Sequence, residues 1–213
     1  MTTYINKLLE ISSSSLSSRK VMMHELFELG TSERVDELHS ILNRSNGFYT
    51  FEGAFHLYSL ESIDNTLGLV DWNRNDLWIN DYNGLTQGAL FFAQDIFGNQ
   101  FSLLNNNIHL FNIETGQFEF LAKDFDSFCK LLLTDFNFLT GYSFANSWQV
   151  IHGKLPNGKR LSPKIPFVLG GQYDMNNLFL ADSVNLMKTN GNIAAQIQNI
   201  QDGTKINLSF NHI

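Results

Sequence analysis

Two short stretches of this 213-residue chain place chemistry-bearing side chains at suggestive spacings. GKLPNGKR at 153–160 approximates a phosphate-binding loop, with Gly153, four intervening residues, Gly158 and Lys159. Arg160 stands where a Ser or Thr hydroxyl should hold magnesium. Such a loop must also open a helix so that backbone amides cradle phosphate. Pro163 and Pro166 forbid one here, so Pro156-Asn157-Gly158 reads as a tight turn between extended segments. DWNRNDLWINDY imitates a calcium loop through Asp71, Asn73 and Asn75. The required glycine is Asp76 and the required bidentate glutamate is Tyr82, which removes the turn and the strongest ligand. None of the six histidines, His24, His39, His56, His109, His152 and His212, pairs at helical spacing for zinc. Cys129 lies on the apolar face of a predicted helix, where a thiol behaves as a small hydrophobe. No GxSxG elbow occurs. The expectation is a chain with no catalytic set, no metal and no cofactor. A hydrolase built from dispersed carboxylates and His is the remaining enzymatic reading, since such pairs are spatial and not sequential.

The carboxylates are concentrated. Residues 61–135 carry 3 basic and 11 acidic side chains, a net of −8, within a chain of net −7, whereas residues 136–213 carry a net of +3. Phosphate binding needs Lys and Arg, so nucleic acid is an unexpected partner. A basic protein steered in by the field is an expected one. Asp71, Asp76, Asp81, Asp95, Glu114 and Glu119 are the candidate partner-binding residues. Trp72, Trp78 and Tyr82 sit among them and could anchor an interface, although core is their commoner role.

The elements that must position these residues follow from pattern. The first 45 or so residues look helical: Ile5, Leu8 and Leu9 share a face, and Val35, Leu38 and Leu42 follow a candidate N-cap at Ser32. Ser12 to Ser18 reads as a loop or linker between them, and Asn46-Gly47 as the helix stop. Residues 89–122 hold four short apolar runs separated by Gly and Asn turns, an antiparallel meander. A helix capped by Asp124 or Asp126 follows, with Phe125, Phe128, Cys129 and Leu132 as its apolar face. A second helix is expected over about 138–151. LSPKIPF should be extended or looped. Ala194 to Ile200 and Lys205 to Phe210, joined at Asp202-Gly203, should form a hairpin. The fold class is therefore α+β: a central antiparallel sheet, made of the meander plus a C-terminal hairpin, flanked by helices. Residues 1–45 read as a helical segment packed on a domain spanning 46–213. A single cysteine rules out a disulfide scaffold. The opening MTTYINKLLEISSSS has no basic n-region, and no apolar run reaches membrane-spanning length. A soluble, cytoplasmic protein is expected, with no membrane partner.

Several pieces together resemble the SUKH superfamily, which includes cell-wall-regulator-like proteins and bacterial toxin-immunity proteins. They are NGFYTFEGAFHLY at 46–58, LWINDY at 77–82, FFAQDIFGNQF at 91–101, FNIETGQFEFLA at 111–122 and GKLPNGKRLSPKIPFVLGGQY at 153–173. Their order and spacing extend the resemblance over about 46–210, leaving the N-terminal segment unmatched. The resemblance implies an α+β fold and a binding role without catalysis. Bacterial members typically neutralise a cognate intracellular toxin, often a nuclease, by direct binding. It supplies no fixed catalytic set. The alternative implied by the same resemblance is a regulatory or scaffold interaction module.

Overall fold

The computed structural model describes residues 3–30, 33–201 and 203–204. Helices α1 (Tyr4–Glu10), α2 (Met23–Phe27) and α3 (Glu33–Leu42) come first. Strands β1 (Phe48–Thr50) and β2 (Phe55–Leu57) follow, then a short helix α4 (Leu69–Trp72) and a 3₁₀ turn at Ile79–Tyr82. The meander is β3 (Leu90–Gln94), β4 (Gln100–Leu104), β5 (Asn107–Asn112) and β6 (Gln117–Ala122). Helices α5 (Phe125–Thr134), α6 (Phe136–Thr140) and α7 (Tyr142–His152) lead to strands β7 (Lys159–Pro163) and β8 (Leu178–Asp182) and to helix α8 (Ser183–Ile197). Strands β1 to β6 pair in chain order in one antiparallel sheet, and β7 pairs with β8 in a second. The fold is α+β, with the meander where the turn residues place it.

Both faces of the main sheet are covered, because successive residues of a strand point to opposite sides. On one side α5 lays Phe125 against Phe92, and Phe128 against Phe55 and Phe101. Asp124 starts α5 by accepting the Ser127 amide at 2.7 Å. Asp126 instead accepts the Ile5 amide at 3.1 Å and ties α1 to α5. On the other side Trp78 packs on Phe91, and Tyr82 packs on Phe111. Leu8, Val35 and Leu38 share one core with Phe48, Phe55 and Phe101, so the N-terminal helices and the sheet bury surface against each other.

Several expectations change. The serine segment is a loop, but a pinned one: the Ser13, Leu16 and Ser17 amides donate to Tyr49, Gly47 and Asn46 carbonyls at 2.8, 2.8 and 3.0 Å. It covers the edge that β1 would otherwise expose. The expected helix over 138–151 is two helices broken at Gly141, whose φ is +67°. A Cβ there would stand 2.6 Å from Ile96 Cγ2 and 2.7 Å from Phe97 Cε2, so the break lets the helix pair close on the β3–β4 turn. Ala194 to Ile197 is the end of α8 and not a strand. Asp182 caps that helix by accepting the Val184 and Asn185 amides, and the buried Leu186, Met187, Ile193 and Ala194 keep one helical stripe going through the expected strand. Ser32, Asp202 and Lys205 to Phe210, which carried the expected cap, turn and second strand, lie outside the described residues.

Gly47 has the positive φ expected of it, +77°, but helix α3 stops at Leu42 and the glycine serves the entry to β1. A Cβ at Gly47 would meet the Ser59 amide nitrogen at 2.5 Å. Gly47→Ala should therefore lower stability by about 2 kcal/mol or more through backbone strain and overlap together, read as a lower urea midpoint.

Candidate functional site

The pairing register places one row of side chains across the sheet. Tyr49 faces His56, His56 faces Gln94, Gln94 faces Gln100, and the row continues to Phe111 and Phe118. Its first half is polar and its second half aromatic. Gln100 is fully used: its Oε1 accepts from Tyr58 Oη and Trp72 Nε1, both at 2.8 Å, and its Nε2 donates to the Gly98 carbonyl at 2.6 Å. Burial pushes the Tyr58 hydroxyl well above its ordinary pKa and drives His56 well below its own, the latter with help from the Arg160 charge. His56 is therefore a neutral ring, stacked on Tyr49 at 4.2 Å between centroids.

Arg160 lies over this polar half. It is 1% exposed and comes from β7, which reaches the sheet through a Leu161 amide donating to the Ile96 carbonyl at 2.8 Å. Its Nη1 donates to the Lys159 carbonyl at 2.8 Å. Its Nε and Nη2 have no partner among the described residues, nor do Tyr49 Oη, Thr50 Oγ1, His56 Nε2 and Gln94 Oε1. A buried, unsatisfied donor or acceptor costs about 1–3 kcal/mol, and such groups are few in folded proteins. The residue at the magnesium position of the apparent phosphate loop is thus an interior cation on a strand. Gly158 turns the chain into β7 with φ +73°, and the residues before the turn are a loop that follows α7, not a strand.

The six candidate carboxylates divide. Asp95 is inside: its Oδ1 accepts the Phe97 and Asn99 amides, and its Oδ2 accepts Asn99 Nδ2, all at 2.8 Å. It is buried and organises the β3–β4 turn. Glu114 is also buried, with its oxygens accepting the Phe167 and Val168 amides at 3.1 and 2.7 Å. It fastens the loop after β7 to the β5–β6 turn. Both are corrections, with different causes: Asp95 accepts amides of its own turn, as a short acidic side chain in an Asn/Gly-rich turn readily does, whereas Glu114 accepts amides of a loop distant in sequence. Asp76, Asp81 and Glu119 are exposed, and Asp71 is partly so. Asp71 and Asp76 share Arg74, and Asp71 also accepts from Ser62. Hydrogen bonding from Arg74 holds the Asp76 carboxyl below its ordinary value. Glu119 stands apart, on the edge strand β6.

The aromatic residues among them are core: Trp72, Trp78 and Tyr82 are buried and pack in series, tilted at 5.7 Å and edge-to-face at 5.6 Å between centroids. Asn73 does not act as a metal ligand here, because its side chain stitches α4 to β3 through the Phe91 amide and carbonyl, at 2.8 and 2.9 Å. Burial raises the Cys129 thiol to about 12, which leaves it unreactive at neutral pH. Among the described residues no three His, Cys, Asp or Glu gather as a metal would require, and no helix is long and apolar enough to cross a membrane. One surface feature went unread in the sequence. Phe138, Val150 and Ile151 on α6 and α7 are 80%, 79% and 65% exposed.

No family model matches the sequence, and no curated protein matches it. Among solved structures, the crystal structure of Atu4351 from Agrobacterium tumefaciens is similar, with a TM-score of 0.53 at 13% identity over 86% of this chain and 86% of that chain. At that identity the likeness is one of fold alone.

Two interior groups set opposite pH dependences. Burial raises Asp95 to about 7, against the Asn99 and Phe97 donors and the Arg160 charge. In the unfolded chain an Asp titrates near ~3.9. The stability linked to it is full below that value and is lost as pH rises through about 7. His56, lowered in the fold, contributes stability above its unfolded value of ~6.5 that is lost as pH falls. Urea unfolding of Asp95→Asn should therefore gain on the parent as pH rises from about 5 to about 8, and that of His56→Gln should gain as pH falls below about 6. A constant difference across pH would contradict either assignment.

Proposed function

We propose that the chain is a SUKH-like binding protein that neutralises a cognate toxin, a basic nuclease, by covering it, without catalysis of its own. The observation that carries this reading is the construction of residues 69–82. Trp72, Trp78 and Tyr82 point inward and are fully buried, while Asp71, Asp76 and Asp81 flank them on the outer side. Buried aromatics hold the segment still, so its carboxylates are presented without a large ordering cost on binding. Arg74 offsets part of that charge, and Asp81 lies beside α8, against Gly191. The quoted motifs support the family assignment in plan: FFAQDIFGNQF runs from β3 through its turn into β4, and FNIETGQFEFLA runs from β5 into β6.

A second reading is a regulatory or scaffold module, and the exposed Phe138, Val150 and Ile151 favour it. Apolar anchors bind without long-range steering, so the two readings differ in their salt dependence. Co-expression with the product of the neighbouring gene, scored for rescue of growth and co-purification, tests the toxin reading.

With that partner in hand, association should slow as salt rises, because the Debye length is only ~8 Å at physiological ionic strength. The triple change Asp71→Lys, Asp76→Lys and Asp81→Lys should slow association at low salt by about tenfold, with a smaller effect on dissociation. Folding should survive, since exposed charges contribute little to stability. A folded triple variant that associates at the parent rate at every salt concentration would end the acidic-surface account.

A further inference from the structure

The loop between β7 and β8 carries an aromatic platform. The Phe167 and Tyr173 rings are stacked, 3.7 Å apart between centroids and 7° from parallel. Phe97 meets them in T-shaped contacts at 5.5 and 6.1 Å. Tyr173 is nevertheless 63% exposed, so the face of its ring away from Phe167 is open. The loop that carries the two rings is tied to itself. Asn177 Nδ2 donates to the Ile165 and Gln172 carbonyls, both at 3.0 Å, and its Oδ1 accepts the Ile165 amide at 2.9 Å. The Gly171 amide donates to the Pro166 carbonyl at 3.0 Å. A ligand on this platform would find it already ordered, which lowers the cost of binding.

The same rings wall a pocket of about 240 Å³ between this loop and the β5–β6 turn. Among the described residues, Glu114 is the only charged one that lines it. Burial pushes the Glu114 carboxyl up, against the Val168 and Phe167 amides, and no cation acts on it. Buried charges are ordinarily paired, so this one leaves a negative field beside the pocket. Tyr173 stands in that field: partial burial raises its hydroxyl, and the Glu114 and Asp95 charges raise it further. Arg160 acts on Asp95 but not on Glu114. Lys164, the only cation on the loop, donates its Nζ to the Asn176 carbonyl at 2.7 Å. Aromatic walls and an unbalanced carboxylate together call for a cation.

The lining decides which cation. A metal ion needs several free oxygens. Here Asn99 Oδ1 accepts the Ile113 amide at 3.2 Å, and Asn112 Oδ1 accepts the Glu114 and Thr115 amides at 2.9 and 3.2 Å. An ammonium is compact and strongly hydrated, and it gives up that water poorly to an apolar wall. A guanidinium is flat, weakly hydrated and stacks on aromatic faces. On the open face of Tyr173 it would extend a stack that Phe167 already begins. Pro163 and Val168 offer apolar surface to a methylene stem. We propose that this pocket seats a guanidinium on the outer face of the Tyr173 ring, in the field of Glu114, as an arginine side chain of a basic partner. That the arginine belongs to a toxin rests on the function proposed above; the guanidinium site itself does not.

Nα-acetyl-argininamide is the probe on the full chain, with neutral Nα-acetyl-citrullinamide and the ammonium Nα-acetyl-lysinamide as controls at matched ionic strength. The readout is the methyl resonances of Thr115 and Val168, which line the pocket. Argininamide should shift them saturably, with a dissociation constant of ~10 mM or below, in keeping with a single side chain. Its affinity should fall as salt rises. Lysinamide should bind about threefold more weakly or worse, and citrullinamide should give no saturable shift up to ~50 mM. Tyr173→Leu, a change at an exposed position, should weaken argininamide about threefold or more. No saturable shift up to ~50 mM argininamide would overturn the site. Equal binding of citrullinamide would reduce it to an apolar cleft, and equal binding of lysinamide would overturn the guanidinium assignment. With a co-purifying partner in hand, Tyr173→Leu should speed dissociation about threefold or more and leave association unchanged, the opposite of the triple Lys variant. Dissociation at the parent rate would overturn the pocket as the partner's anchor while leaving the toxin reading intact. Failure of rescue would end the toxin reading, and the argininamide titration then decides the site alone.

Discussion

A guanidinium with 1% exposure is the constraint around which the rest of this structure is arranged. Taking an isolated charge out of water costs several kcal/mol even after relaxation, so the surroundings of Arg160 cannot be arbitrary. They are not. The Asp95 carboxyl acts on it from the β3–β4 turn, the Tyr49 ring lies across it, and His56 is kept neutral beside it. The polar row meets Arg160 at its Tyr49 end and Tyr58 and Trp72 at its Gln100 end, and the aromatic continuation begins at Phe111, on which Tyr82 packs. Composition along one row of the sheet follows what lies over it.

The same constraint explains the long connections. Residues 141–163 have to bring Arg160 back to strands laid down more than fifty positions earlier. Gly141 lets α6 and α7 close on Ile96 and Phe97, Gly158 turns in against the Asn65 carbonyl, and the Leu161 amide then reaches the Ile96 carbonyl. Glu114 does comparable work on the following loop by accepting the Phe167 and Val168 amides. Two of the chain's carboxylates thus serve as interior fasteners. Of the exposed candidates, Asp71, Asp76 and Asp81 are gathered on residues 69–82, whose inner side is locked by Trp72, Trp78 and Tyr82, and Glu119 is apart on β6. Interior polar chemistry and surface charge are separate systems.

What could be read from the sequence follows from range. The meander was legible because DIFGN, Asn105 to Asn107 and IETG are local turn chemistry between strand patterns, and α5 because Asp124 and its apolar stripe are local too. The burial of Cys129, Trp72, Trp78 and Tyr82 followed from side-chain type. Most of what was not legible depended on partners distant in sequence. Glu114 looks like a surface charge until the Phe167 and Val168 amides are in place, whereas Asp95 looks like one although its donors, Phe97 and Asn99, are local. AAQIQNI alternates like a strand, but its first four residues are the last turn of a helix whose cap and first apolar turn lie upstream. Arg160 carried one signal, a basic residue between Lys159 and Leu161 in a strand that must pack, and a phosphate-loop spacing obscured it.

The claim that Arg160 and the β3–β4 turn form one electrostatic unit is open to a double-mutant cycle. Urea unfolding of the parent, Asp95→Asn, Arg160→Met and the double variant at about pH 8, where Asp95 is ionised, gives the interaction free energy between the two positions. The account predicts favourable coupling of about 1 kcal/mol or more, with the double variant more stable than the Arg160→Met single, because removing the cation alone strands a buried carboxylate. Additivity to within about 0.3 kcal/mol would contradict it.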